Sequence, residues 1–476
     1  MLRTLILSSL LAGSALSCLH AQAPGKTEWS NVPFNENGRI PTSVRTAYCA
    51  EGGTYALAEM VSGKNEYVGY IFPKNGPAVS RVVELPDQKA HISFSAFCLM
   101  GNTPCVVYNT WEKETGLVTL FAQAYTAADF TPEGAPVKLG EIPLSRSYQG
   151  SAIDVRTTPS PDGSKMLFLF DDIQQGGIKY ALCWVTDRDL NPLWSGQYQI
   201  PVQSRGSKTT SYLMDDGRAY MSVRGVSLNE ENVKEKKDGS VEAKTKAAYW
   251  KHSEENWYSM FGEEFHQWDC TVPELRGVFE GTPLMRNGQV VMAGLMLPEV
   301  KKGEQAKGTY VLLSIKEGFT PEVIKSGAAR SSSSKGVRAM EGENGNIFLA
   351  VFQEKEMTML KLDATGELQW ERTSAHATKL AKAVGDRVII NYYGSQGALN
   401  DLHAGKTPKA SANGNFFPIM FVWDAEGNTT AQRIFPEDAQ VLRLHDWDNT
   451  FDDCGCYVAL STEKKRPGLV RMCVEN

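Results

Sequence analysis

Short runs of alternating or β-branched residues, separated by turn residues, recur from about residue 40 to the end of the chain. Examples are Thr54–Val61, Tyr67–Phe72, Leu117–Ala124, Met166–Phe170, Tyr180–Thr186, Gln289–Met296, Ile347–Phe352, Arg387–Tyr393 and Tyr457–Ser461. Sustained 3.6-residue periodicity is nearly missing. Many short strands with regular punctuation restrict the chain to an all-β sandwich, barrel or propeller.

Internal repeats choose among these. Val-Arg-(Thr/Ala), four residues, then an acidic or amide residue and Gly occurs as Val44-Arg45-Thr46…Glu51-Gly52, Val155-Arg156-Thr157…Asp162-Gly163 and Val337-Arg338-Ala339…Asn344-Gly345. A looser copy is Leu442-Arg443-Leu444. A second motif marks a later hairpin: Asp129-Phe130-Thr131-Pro132, Asp189-Leu190-Asn191-Pro192 and Gly318-Phe319-Thr320-Pro321, with variants at Asp363–Gly366 and Asp424–Gly427. The arginine spacings divide into units of roughly 50–60 residues, the size of a four-stranded propeller blade. Hairpin counting predicts a β-propeller with blades near 43–86, 91–144, 151–201, 207–272, 275–326, 335–374, 377–436 and 438–476. The count is eight, with seven as the fallback. The last segment has three clear strands, so residues 24–42 are expected to supply its fourth and close the ring.

Two stretches carry a family resemblance. Thr158-Pro159-Ser160-Pro161-Asp162-Gly163-Ser164-Lys165 resembles the SPDG turn of WD40-like repeats in Tol-type periplasmic propellers. Leu362-Asp363-Ala364-Thr365-Gly366-Glu367-Leu368-Gln369-Trp370 is similar to a quinoprotein blade hairpin. The resemblance implies a fold shared with exported bacterial propellers. The repeated tryptophans of true quinoproteins are missing, so it implies no quinone cofactor.

Arg3 followed by an apolar run from Leu5 to Leu16 is too short for a membrane span but fits a secretory signal over residues 1–23, with Ala21-Gln22-Ala23 as the cleavage pattern. Cys18 offers an alternative, a lipid anchor, although Ala15 stands where the usual Leu would be. No other stretch would span a bilayer as a helix. The expected location is periplasmic or secreted, with residues 43–476 forming one propeller.

Nine cysteines less Cys18 leave an even number for an oxidising compartment. Cys98 and Cys105 flank a turn and are the disulfide candidate. Cys454-Gly455-Cys456 fits burial or a disulfide better than metal, because no companion pair completes four ligands. The spacing of Asp446, Asp448 and Asp452 resembles a calcium loop, yet the central Gly and closing Glu of an EF-hand are missing. Calcium is therefore the only cofactor considered.

Antiparallel geometry puts b–c loops and d–a links at one end of the ring, and a–b and c–d turns at the other. The expected insertions, Gly225–Lys246, Glu299–Gly308, Leu399–Gly414, Trp111–Gly116 and Asp171–Gly177, fall in b–c positions. Binding is expected on that elaborated face. Arg45, Arg156, Arg338 and Arg443, at the start of inner strands, would either gather at the axial opening as an anion site or fasten neighbouring blades. Asp154 is the carboxylate nearest to them in sequence, and Trp111, Trp250, Trp257 and Trp268 are candidates for stacking on sugar rings.

With a net charge of −6 and no strongly basic stretch, the chain argues against a phosphate-backbone binder, so no nucleic acid partner is expected. No nucleophile elbow, zinc-protease helix or Walker loop occurs. The expectation is a binding or scaffolding protein for a glycan, peptide or envelope partner. The alternative is a carbohydrate-active hydrolase or lyase acting on anionic glycans at the axial opening.

Overall fold

A computed structural model describes residues 27–29, 41–60, 67–83, 85, 91–112, 114–143, 153–175, 178–200, 208–228, 233–235, 241–243, 250–268, 278–286, 289–297, 307–315, 321–330, 336–353, 356–374, 381–404, 406, 417–433, 449–451, 456–461 and 468–473. Their strands form eight four-stranded antiparallel sheets and one two-stranded ribbon. Sheets 1 to 7 span residues 41–83, 91–143, 156–200, 208–268, 278–328, 336–374 and 381–433, each with its strands a to d in chain order. Sheet 8 combines Asn449–Phe451, Tyr457–Ser461 and Gly468–Met472 with Thr27–Trp29 from the other end of the chain. Thr27 faces Met472 and Trp29 faces Val470, so the N-terminal strand closes the last sheet as expected.

The fold is a β-propeller, and the boundaries of sheets 1 to 7 lie within a few residues of those drawn from the sequence. First strands of neighbouring sheets touch: Pro41–Ala50 meets His91–Met100, which meets Arg156–Pro159, which meets Lys208–Leu213. That arrangement places strand a at the axis and strand d at the rim.

The pleat explains the apolar strands. In sheet 3, Met166, Phe168 and Phe170 enter a core shared with sheet 2, while Leu167 and Leu169 enter one shared with sheet 4. In sheet 6, Phe348 and Ala350 face sheet 7, and Ile347, Leu349 and Val351 face sheet 5. Each such sheet is buried on both sides, so its inner strands read as nearly continuous apolar runs.

The repeated motifs take equivalent places. Glu51-Gly52, Asp162-Gly163 and Asn344-Gly345 lie in the a–b turns of sheets 1, 3 and 6. The Asp motifs form c–d turns. Asp363 Oδ1 accepts the amides of Thr365 and Glu367, and Asp424 Oδ1 those of Glu426 and Asn428. Gly366 and Gly427 then take φ of 88° and 78°, whereas Phe130 and Leu190 occupy the same turn position with φ of 58° and 65°. Burial of those two side chains, at 1% and 6% exposure, offsets a strain of roughly 1–2 kcal/mol.

Two expectations are corrected here. Asp171–Gly177 is not an inserted loop: strands Lys165–Gln175 and Ile178–Asp187 continue through a bulge between Phe170 and Ile173. Cys98 and Cys105 are directly opposite in register, yet both are free thiols, buried as small apolar side chains in the core between sheets 2 and 3. A hydrogen bond with Cys105, then burial, pushes the Cys98 thiol well up. The disulfide present is Cys456–Cys473, which pins the last two strands of sheet 8, and Cys49 is disulfide-bonded as well. Cys456 is thereby removed as a metal ligand.

Candidate functional site

The two ends of the ring differ. On the end with the a–b and c–d turns, adjacent sheets are clipped together. The Glu51 amide donates to Asn102 Oδ1 at 3.4 Å, the Asp162 amide to Asp215 Oδ1 at 3.0 Å, and the Glu343 amide to the Gly385 carbonyl at 3.1 Å. Arg286 Nη2 donates to the Gly345 carbonyl at 2.6 Å. Trp194 and Trp370 each reach the next sheet, their Nε1 donating to Gly217 O and Ala425 O at 2.9 Å. Sequence reading gave these two tryptophans no clipping role; their repeated place two residues into strand d was the available signal.

The opposite end carries the elaborations. Between strands b and c of sheet 4, Val233–Glu235 and Val241–Ala243 form a two-stranded ribbon. Between strands b and c of sheet 7 stands helix α1, Gln396–His403, with Ser395 as N-cap. Its Ala398, Leu399 and Leu402 are buried on the core between sheets 6 and 7, and His403 Nε2 lies 2.7 Å from the Ala431 carbonyl. The other expected insertion, 299–308, lies mostly outside the described residues.

The arginines of the first motif divide. Arg156 Nη1 donates to the Thr209 carbonyl of sheet 4 and sits 3.6 Å from Asp171 Oδ2, which also accepts from Thr209 Oγ1. This is the fastening arrangement, with a main-chain carbonyl as the acceptor across the sheet boundary. Arg338 is exposed, and partial desolvation by neighbouring protein lowers its pKa against a favourable interaction with Tyr212 of sheet 4. Arg45 lies in strand a of sheet 1 with its side chain undescribed, and Arg443 is outside the described residues. Asp154 is exposed, and the partner of Arg156 is Asp171 instead.

The tryptophan expectation is corrected in part. Trp111 is 8% exposed in the core between sheets 2 and 3, and Trp257 is fully buried between sheets 4 and 5. Apolar packing covers the faces a sugar would need. The side chains of Trp250 and Trp268, residues 1–23 and the calcium candidates Asp446, Asp448 and Asp452 lie outside the described residues. Among the described residues, no group of three His, Cys, Asp or Glu is placed to hold a metal, and no helix is long and apolar enough to cross a membrane.

Among the described residues, a cavity of about 490 Å3 lies between sheets 6 and 7. Its lining includes the buried Phe421, Trp423 and Leu402 together with Arg330, Arg372, Lys406 and Glu371. Glu371 is 7% exposed and accepts the Arg330 amide at 3.0 and 3.3 Å. Arg372 donates from Nε to the Gly427 carbonyl and from Nη1 to the Glu371 carbonyl, each at 3.1 Å. Sequence reading had no access to this site, since its residues come from four separate segments of the chain.

No family model and no curated protein matches the chain. Among solved structures, it is similar to the β-propeller domain of the Trilobed protease from Pyrococcus furiosus, at 11% identity and TM-score 0.41, over 85% of this chain and 98% of that one. Prolyl oligopeptidase B from Galerina marginata aligns at 9% identity and TM-score 0.44, over 88% and 54%. A prolyl endopeptidase from a study of two such enzymes aligns at 9% and 0.43, over 89% and 55%. The chain thus spans about half the length of these peptidases, and the likeness is one of fold.

Proposed function

We propose that this chain is an exported β-propeller that binds rather than transforms, holding a glycan, peptide or envelope partner on its long-loop face. The carrying observation is the division between the two ends of the ring. One end uses its turn amides, carbonyls and carboxylates to clip sheet to sheet. The other holds the ribbon and α1, and loops displayed on a rigid scaffold are where recognition concentrates. The Cys456–Cys473 disulfide supports a periplasmic or secreted location, because such bonds persist in oxidising compartments. The net charge of −6 argues against nucleic acid as the partner.

Arrayed glycans and peptides, probed with the full chain, test this reading. Saturable capture is expected, and it should be lost when residues 233–243 are replaced by a short Gly-Ser link. Capture that survives this trimming and also the removal of α1 would overturn the assignment of the face. A blank array would overturn the choice of glycan or peptide as partner.

A further inference from the structure

We infer that the cleft between sheets 6 and 7 is a ligand site for a carboxylate carried on a ring-sized body. The inference rests on the long-loop face being the binding face, since α1 contributes Leu402 to the cavity lining. It goes further by naming the chemistry that the cavity takes.

Charge is the first argument. Arg330, Arg372 and Lys406 line the cavity against a single carboxylate, Glu371, in a chain whose net charge is negative. Glu371 does not oppose an incoming anion strongly, because the Arg330 amide and, at 3.8 Å, Arg330 Nε already neutralise it. Two cations therefore remain uncompensated.

Orientation is the second argument. The Gly427 and Glu371 carbonyls fix the Arg372 guanidinium through Nε and Nη1, leaving Nη2 for an external acceptor. A guanidinium held in this way binds a carboxylate with less loss of side-chain freedom than a mobile one. Lys406 is exposed, and its ammonium has no partner among the described residues.

Shape is the third. A cavity of about 490 Å3 leaves room for a ring-sized body behind the charge. A neutral ligand would leave the two cations unmatched, and a cationic one would be repelled. Sugar acids and aromatic acids share the required chemistry, so the experiment must separate them.

The full chain is titrated at low salt with glucuronate and with benzoate, using glucose and benzamide as neutral twins, by calorimetry and tryptophan fluorescence. At least one acid should bind saturably, about tenfold or more tightly than its twin. Lys406→Ala should weaken that binding about tenfold while leaving the melting temperature unchanged, since its ammonium contacts nothing described. Arg372→Lys, which keeps the charge but loses the fork, should weaken it as well. Binding of one acid alone identifies the source of the ring, and either result supports the site. Equal binding of acid and twin, no binding of either acid up to about 10 mM, or unchanged affinity in Lys406→Ala would overturn it. Failure of both acids while arrayed partners are still captured sinks this inference alone. Acid binding alongside a blank array leaves it standing and removes only the partner proposed above.

Discussion

Arg156 of sheet 3 stands 3.6 Å from Asp171 of the same sheet, and Thr209 of sheet 4 closes the triangle by accepting from the arginine and donating to the aspartate. One sheet thus supplies both charges and its neighbour supplies a carbonyl and a hydroxyl. The guanidinium is 37% exposed, which moderates its worth, whereas Asp171 at 9% is costly to leave unpaired. Arg156→Ala is expected to lower stability by roughly 1–2 kcal/mol in urea denaturation. Capture of arrayed partners should be unchanged in the same variant. Lost capture with intact stability would instead return Arg156 to the anion site that the sequence suggested.

Gly427 is a second point of sensitivity. Its φ of 78° is left-handed, and an added Cβ would stand 3.1 Å from the Trp370 ring and 3.2 Å from Arg372 Nε. Gly427→Ala should cost roughly 1–2 kcal/mol from the backbone alone. Because Trp370 and Arg372 must also shift, tryptophan emission should move and carboxylate binding should weaken. A variant with wild-type stability and emission would show that the turn relaxes freely.

The Asp162 carboxyl is held down at about 2, chiefly by the Ser160 hydroxyl, with the Ser164 amide and hydroxyl assisting. Its folded value lies below the ordinary 3.8, so its contribution is fully present above about pH 5 and is lost as pH falls towards 2. Urea midpoints of the wild type and Asp162→Asn should differ by a constant amount between pH 5 and 7, a window set by the ordinary carboxylate value, and then converge below about pH 4. Parallel curves down to pH 3 would mean that Asp162 adds no acid sensitivity, a window again set by ordinary carboxylate titration.

The cysteines divide into bonded and sealed. Cys98, Cys105 and Cys183 are buried thiols, so a thiol reagent should find them only after denaturation. The Cys456–Cys473 bond spans 17 residues and staples the sheet in which the two chain ends meet. The double Ser variant should lose about 2–4 kcal/mol of stability. Its Thr27–Trp29 strand should become more susceptible to proteolysis. Rapid labelling of Cys98 or Cys105 in the native state would contradict the sealed core.

The propeller was legible in the sequence because its determinants are local. A strand buried on both faces is apolar throughout, as in Met166–Phe170, and an Asp that caps two amides of its own turn recurs wherever that turn recurs, as at Asp363 and Asp424. The N-terminal closing strand followed from a last sheet that was one strand short. Cys98 and Cys105 show where local reading stops. Their register was correctly inferred, but two opposed thiols can be oxidised or simply packed, and the apolar surroundings supplied by sheet 3 accompany the second outcome.

Residue roles across sheet boundaries had to wait for the tertiary structure. Trp111 looks the same in sequence whether its ring meets water or the core of sheet 3. The partners of Arg156 depend on how sheet 4 is set against sheet 3, which no repeat encodes. Arg330, Arg372 and Lys406 belong to a link, a rim strand and the segment after a helix, and only the packing of sheet 7 against sheet 6 gathers them around one cavity. Hydrogen bonding within a turn or between adjacent strands is written in neighbouring residues; the facing of one sheet by another is set by the sum of many side-chain contacts, and that sum is resolved only when the ring assembles.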